Sequence, residues 1–177
     1  MSDLWEEEED LGKEEDLEKE EDDLEEEEEE GYLENFLYEA CKRGDTEAVH
    51  WALREGAAVN EKRWGCFGST PLIAAAQNGP AAIVEMLLKQ PGINLNCKDE
   101  HGLTALHFAC IFGRVDILEL LLAGDSGPSL EARDSLGFSP LMCAVEGGHE
   151  GCVELMVRET GVELESGDWR GLEERAR

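Results

Sequence analysis

TALHFACIFGRVDILELLL, residues Thr104–Leu122, is the stretch that decides the fold. Two apolar runs flank Gly113, and a glycine inside one continuous helix would cost about 1 kcal/mol against alanine. Leu106, Ala109 and Cys110 fall at i, i+3 and i+4 in the first run; Ile117, Leu118, Leu121 and Leu122 do the same in the second. That is the period of a helix with one buried face. The stretch therefore predicts two short antiparallel helices joined at a glycine, with Thr104 placed to cap the first. A hairpin of this size has too little core to fold alone, so it needs neighbours like itself.

Working outward, the chain supplies them. Thr70-Pro71-Leu72, Thr104-Ala105-Leu106 and Ser139-Pro140-Leu141 open three copies spaced 34 and 35 residues apart. The turn glycines Gly44, Gly79, Gly113 and Gly148 recur at 35, 34 and 35, which adds a fourth copy upstream. The second helices align as AVHWAL, IVEMLL, ILELLL and CVELMV from Ala48, Ile83, Ile117 and Cys152, and a small position recurs as Cys41, Ala76, Cys110 and Val145. A fixed period of this length is the mark of a stacked repeat array.

The pattern D-x-x-G-x-T-P-L-H…G-H…L-L-L…N resembles the ankyrin repeat. Asp99, Gly102, Thr104, Leu106 and His107 match it in one copy; Asp134, Gly137, Ser139, Pro140, Leu141, Gly148 and His149 match it in the next. Asn60 and Asn96 stand at the repeat-ending asparagine. The resemblance implies an all-α solenoid of helix-turn-helix units with finger loops. The expected organisation is an acidic disordered tail over 1–31, an ankyrin domain over 32–167, and a truncated fifth repeat or C-terminal tail over 168–177. Repeats are expected at about 33–62, 68–98, 102–133 and 137–167. The first copy lacks T-P-L-H, as an atypical terminal repeat should. The loop from Glu61 to Ser69 is longer than its counterpart and is expected to project.

Charge is unevenly spread. Residues 1–30 hold 20 Asp or Glu against two Lys, a net of −18 out of −28 for the chain. Blocks of like charge favour solvated disorder. An acidic chain has little to offer a phosphate backbone or an anionic bilayer, so direct nucleic-acid and membrane binding are not expected. No apolar stretch approaches the length of a membrane span, and no secretory signal pattern opens the sequence. The expected setting is intracellular, cytoplasmic or nuclear, where the six cysteines stay reduced and mostly pack as small apolar groups. Cys66, in a Gly-rich loop, is the one expected to be more exposed.

Nothing in the sequence is arranged for chemistry. Phosphate-binding glycine loops, H-E-x-x-H and G-x-S-x-G are absent, and no Cys/His set has zinc spacing. The expectation is a non-enzyme with no cofactor, metal or small-molecule substrate. His107 and His149 occupy positions that ankyrin repeats use for turn and cap hydrogen bonds.

Binding to one or more proteins is left, as adaptor, scaffold or masking inhibitor. The resemblance implies that partners meet the concave surface of the first helices and the finger loops. Carried over by position, the candidate contacts are Trp64, Phe67, Gln77, Asn78, His101, Leu103, Ile111, Phe112, Leu136, Phe138 and Trp169. Trp64, Phe112 and Phe138 are expected on one face of successive copies, either as partner contacts or as packing between fingers. Lys62, Lys98 and Arg133 form a basic row at one finger position, where the family commonly carries basic residues and against which the tail could dock in competition with an acidic partner. Asn96, preceded by Leu88 and Leu95, resembles a site of asparagine hydroxylation. The alternatives are a substrate-recognition or targeting subunit of a ligase or phosphatase complex, and binding of basic proteins by the acidic tail.

Overall fold

Thr70, Thr104 and Ser139 start a helix for one physical reason: each side-chain oxygen accepts the N–H three residues on, from Ile73, His107 and Met142. Proline at the first helical position of two of these, Pro71 and Pro140, sacrifices an N–H that has no intrahelical partner. The computed structural model describes residues 32–63, 65–123 and 127–161. Eight helices are found there: α1 over 32–43, α2 Thr46–Arg54, α3 Pro71–Asn78, α4 Ala81–Leu88, α5 Ala105–Ile111, α6 Val115–Leu122, α7 Pro140–Glu146 and α8 Glu150–Thr160. They pair into four hairpins, so the all-α repeat solenoid is what the chain forms. The acidic segment 1–31 and residues 168–177 lie outside the described residues.

Two layers result. Helices α3, α5 and α7 pack side by side, and α2, α4, α6 and α8 form the second row. α1 continues the first row, because its Cys41 carbonyl lies against Gly79 at the end of α3. Between the layers Leu72, Leu106, Ile83, Ile117, Leu87 and Leu121 are closed off from water. Each such side chain contributes roughly 2 kcal/mol relative to exposure. The recurring small position, Cys41, Ala76, Cys110 and Val145, is buried in all four copies and lets first helices approach closely. Leu122 sits only half-buried at the rim of the core, as do its counterparts Leu88 and Val157.

The hairpin glycines are not all alike. Gly113 turns with φ +65°, and a Cβ there would lie 2.5 Å from the His149 ring. Gly79 instead ends α3 extended, at φ −79° and ψ 161°. Pro80 follows it and pushes the preceding residue out of the helical region. Glycine is still required, since a Cβ would stand 2.9 Å from the Ala75 carbonyl and 3.2 Å from that of Cys41.

Candidate partner-binding surface

The fingers are built by aspartate. Asp99 Oδ1 accepts N–H from His101 at 2.9 Å and Leu103 at 2.8 Å, and Asp134 Oδ1 accepts from Leu136 at 2.9 Å and Phe138 at 2.8 Å. A short acidic side chain that bonds its own following backbone is the standard way to hold a tight turn. Each finger then hands a main-chain bond to the next. Glu100 N–H donates to the Phe67 carbonyl and Ser135 N–H to that of His101, both at 2.8 Å. Lys98 Nζ reaches the Arg133 carbonyl at 2.8 Å, and Arg133 Nη1 reaches the Gly137 carbonyl at 3.0 Å. Two of the three cations of the basic row therefore bond finger backbone; Lys62 remains exposed.

This geometry leaves Phe67, His101 and Leu136 at one register position on successive tips. Phe67 is 61% exposed and Leu136 81%, and His101 is exposed beside the Phe67 ring at 5.2 Å. Phe67 has φ +54°, the one positive value at a non-glycine among the described residues. The loop carrying it is tied down at its base. Arg63 pairs with Ser69 in an isolated bridge, lies over the Tyr38 ring at 5.2 Å, and meets Glu39 at 2.9 Å. Trp64 in that loop, and Trp169, lie outside the described residues.

Leu103 and Phe138 are not tip residues. Both share one register two positions after the tips; Leu103 is half-buried and Phe138 packs against the core. Phe138 also supplies the carbonyl that takes the His107 Nε2 proton at 3.2 Å. Of the expected face of Trp64, Phe112 and Phe138, Phe138 thus offers only part of its ring, the rest being packed against the core.

Along the first-helix row the exposed positions are Lys42 and Arg43, then Asn78 beside half-buried Gln77, then Phe112 beside half-buried Ile111, then Glu146. Phe112 is 46% exposed and stacks on Phe108 with centroids 6.3 Å apart and planes 10° from parallel. Phe108 was not among the expected contacts. Its spacing of four from Phe112 is the available signal, since such pairs are neighbours on a helix surface.

Two of the four histidines, His107 and His149, are held in structural hydrogen bonds. Thr104 N–H donates to His107 Nδ1 at 3.2 Å while Nε2 donates to Phe138 O, which fixes a neutral ring. Burial holds His107 below the ordinary imidazole value, with the Phe138 carbonyl and Asp134 pulling the other way. His149 Nε2 donates to the Ile111 carbonyl at 2.8 Å. Arg114, one repeat earlier at the same register, reaches back to the Gly79 carbonyl at 2.9 Å. Sequence reasoning missed Arg114, because nothing local marks a partner 35 residues away. Asn60 Oδ1 accepts from Asn94 N–H at 2.8 Å and Asn96 Oδ1 from Ser129 N–H at 2.7 Å, so these asparagines stitch consecutive repeats.

The buried thiols are held protonated by desolvation. Burial pushes Cys41 up to about 12 and Cys143 up to about 11, and Cys110 is also raised. Cys66 is half-buried, like Cys97. Among the described residues no group of three His, Cys, Asp or Glu is placed to hold a metal, and no helix is long and apolar enough to cross a membrane.

A stack of helical hairpins joined by finger turns is a repeat solenoid. The chain belongs to the ankyrin repeat family: the model for ankyrin repeats matches three times, over residues 17–99, 37–134 and 91–168. It is similar to human ankyrin repeat domain-containing protein 63, 41% identical over 95 residues, covering 51% of this chain and 24% of that protein. Mouse rabankyrin-5 is 31% identical over 144 residues, covering 74% of this chain and 12% of its own length. The transient receptor potential cation channel subfamily A member 1 of Drosophila melanogaster is 30% identical over 126 residues, covering 69% and 10%. The chain thus spans a quarter or less of these relatives. Ankyrin repeats are generally protein–protein interaction modules, and the family is typically non-enzymatic.

Proposed function

We propose that the protein is a non-catalytic adaptor, scaffold or masking inhibitor inside the cell, holding a protein partner on its first-helix row and fingertips. The observation that carries this is the stacked pair Phe108 and Phe112, with Phe112 almost half exposed beside Ile111 on that row. Exposed aromatic side chains on a rigid frame are the usual anchors of protein interfaces. The tips Phe67, His101 and Leu136 extend the surface; Gln77 and Asn78 supply amide hydrogen bonds beside it. Phe112→Ala should weaken a captured partner at least about tenfold while the urea midpoint stays put. Partner affinity unchanged by Phe112→Ala would move the site elsewhere.

One alternative rests on residues 1–30, whose net of −18 suits a basic protein. Deleting them would then abolish capture of that partner, where the first reading expects capture to survive. Asparagine hydroxylation at Asn96 is a separate proposal. The side chain is exposed but engaged, so an enzyme must draw Oδ1 away from Ser129 first. A one-oxygen mass shift on the peptide containing Asn96 after co-expression with a hydroxylase is the test.

A further inference from the structure

The first-helix row is graded in charge from one end of the stack to the other. At one register it reads Lys42, Gln77, Ile111 and Glu146; at the next it reads Arg43, Asn78, Phe112 and Gly147. Repeats 1 to 4 thus present cation, amide, aromatic and anion in order. None of the exposed groups is needed to close the core: Lys42, Arg43, Asn78, Phe112 and Glu146 are all exposed. Arg43 is loosely paired with Glu39 at 3.8 Å, and Glu39 is held more tightly by Arg63 at 2.9 Å, so positive charge is left at that end.

The aromatic step also has a shape. The positions matching Phe108 and Phe112 are Ala74 and Asn78 in repeat 2, and Cys143 and Gly147 in repeat 4. Gly147 cannot be filled, because a Cβ there would stand 2.6 Å from His149 Cδ2, and that ring is fixed by its bond to the Ile111 carbonyl. The Phe112 ring therefore has no side chain beside it at the repeat 4 register. Apolar surface of that kind takes an aliphatic or aromatic side chain from outside.

We infer that the row binds one extended segment of a protein partner with a fixed order of side chains: acidic against Lys42 and Arg43, apolar against Phe108 and Phe112 over Gly147, and basic against Glu146. The inference rests on the proposed function and gives that surface its ligand chemistry and polarity. Packed helices lie about 8–10 Å apart, so the row from repeat 1 to repeat 4 spans roughly 25–30 Å. An extended chain rises about 3.3 Å per residue, which makes the segment about eight or nine residues long. The apolar residue belongs about two thirds of the way from the acidic end. A segment of reversed charge order meets like charges at both ends, which is how a graded surface rejects wrong partners.

The probe is a library of random dodecapeptides displayed against the full chain. Enriched peptides should share an acidic, an apolar and a basic position in that order, and should lose binding to Phe112→Ala. Against the double variant Lys42→Glu with Arg43→Glu, affinity should fall about fivefold at low salt and recover when the peptide's acidic residue is exchanged for lysine. Glu146→Lys should do the same at the basic end. These positions are exposed, so the variants keep their fold, and an unchanged urea midpoint checks it. Peptides that need Phe112 but ignore both reversals overturn the polarity and leave the binding surface standing. No peptide that depends on Phe112 overturns both.

Discussion

Gly113 carries two constraints at one atom, its left-handed backbone and the His149 ring against its α-carbon. Gly148 has a similar φ of +68° but open space around it. A left-handed non-glycine costs about 1–2 kcal/mol, so Gly148→Ala should lose about that much. Gly113→Ala should lose about 1 kcal/mol more, because displacing His149 also breaks its bond to the Ile111 carbonyl. Equal losses in urea denaturation would mean the ring contact is idle. His107 makes a second residue-scale prediction. Its folded value is depressed by burial, so the unfolded chain takes up the proton first. Its contribution is complete above the ordinary value near 6.5 and is lost as pH falls from there towards the folded value. Urea midpoints between pH 7 and 5 should therefore fall, and His107→Gln should flatten the part due to this ring.

At the scale of elements, Arg114 fastens one hairpin to the hairpin before it through the Gly79 carbonyl. A part-buried, charge-assisted bond of this kind is worth about 1.5–3 kcal/mol, so Arg114→Ala should cost about 2 kcal/mol. Arg158→Ala, which loses only an exposed pair with Glu159 at 3.2 Å, should cost less than about 0.5 kcal/mol. Comparable losses would contradict the link. The helices themselves were legible, because burial on one face forces the 3.6-residue period seen in Ile117, Leu118 and Leu121. The cap at Thr104 was legible too, since it acts on its own next turn. Bonds that cross repeats were not: Arg114 to Gly79 and Arg63 to Tyr38 and Glu39 join residues far apart in sequence whose types do not recur. How far Phe138 is buried was not legible either, since its neighbours in sequence are finger residues while its ring packs against the core.

Over the whole molecule, stability is shared between neighbours in a row. Leu106, fully buried in repeat 3, belongs to α5, which packs against both α3 and α7. Leu106→Ala should cost about 3 kcal/mol. Hydrogen-exchange protection should then drop in α3 and α7 together; protection retained in α7 would mean that repeats open one at a time. The four-copy period made this arrangement readable before any contact was known. The surface was readable only in outline, because exposure at Phe112 and Leu136 follows from what their neighbours leave uncovered. The fingers add a consequence of another kind. Phe67, His101 and Leu136 present an apolar ring, an imidazole and an aliphatic chain, yet Phe67 and His101 pass the same main-chain bond to the next finger. Coupling by backbone makes the tip side chain a free variable. Such an array can exchange its recognition residues one by one through evolution, keeping its architecture while changing its clientele.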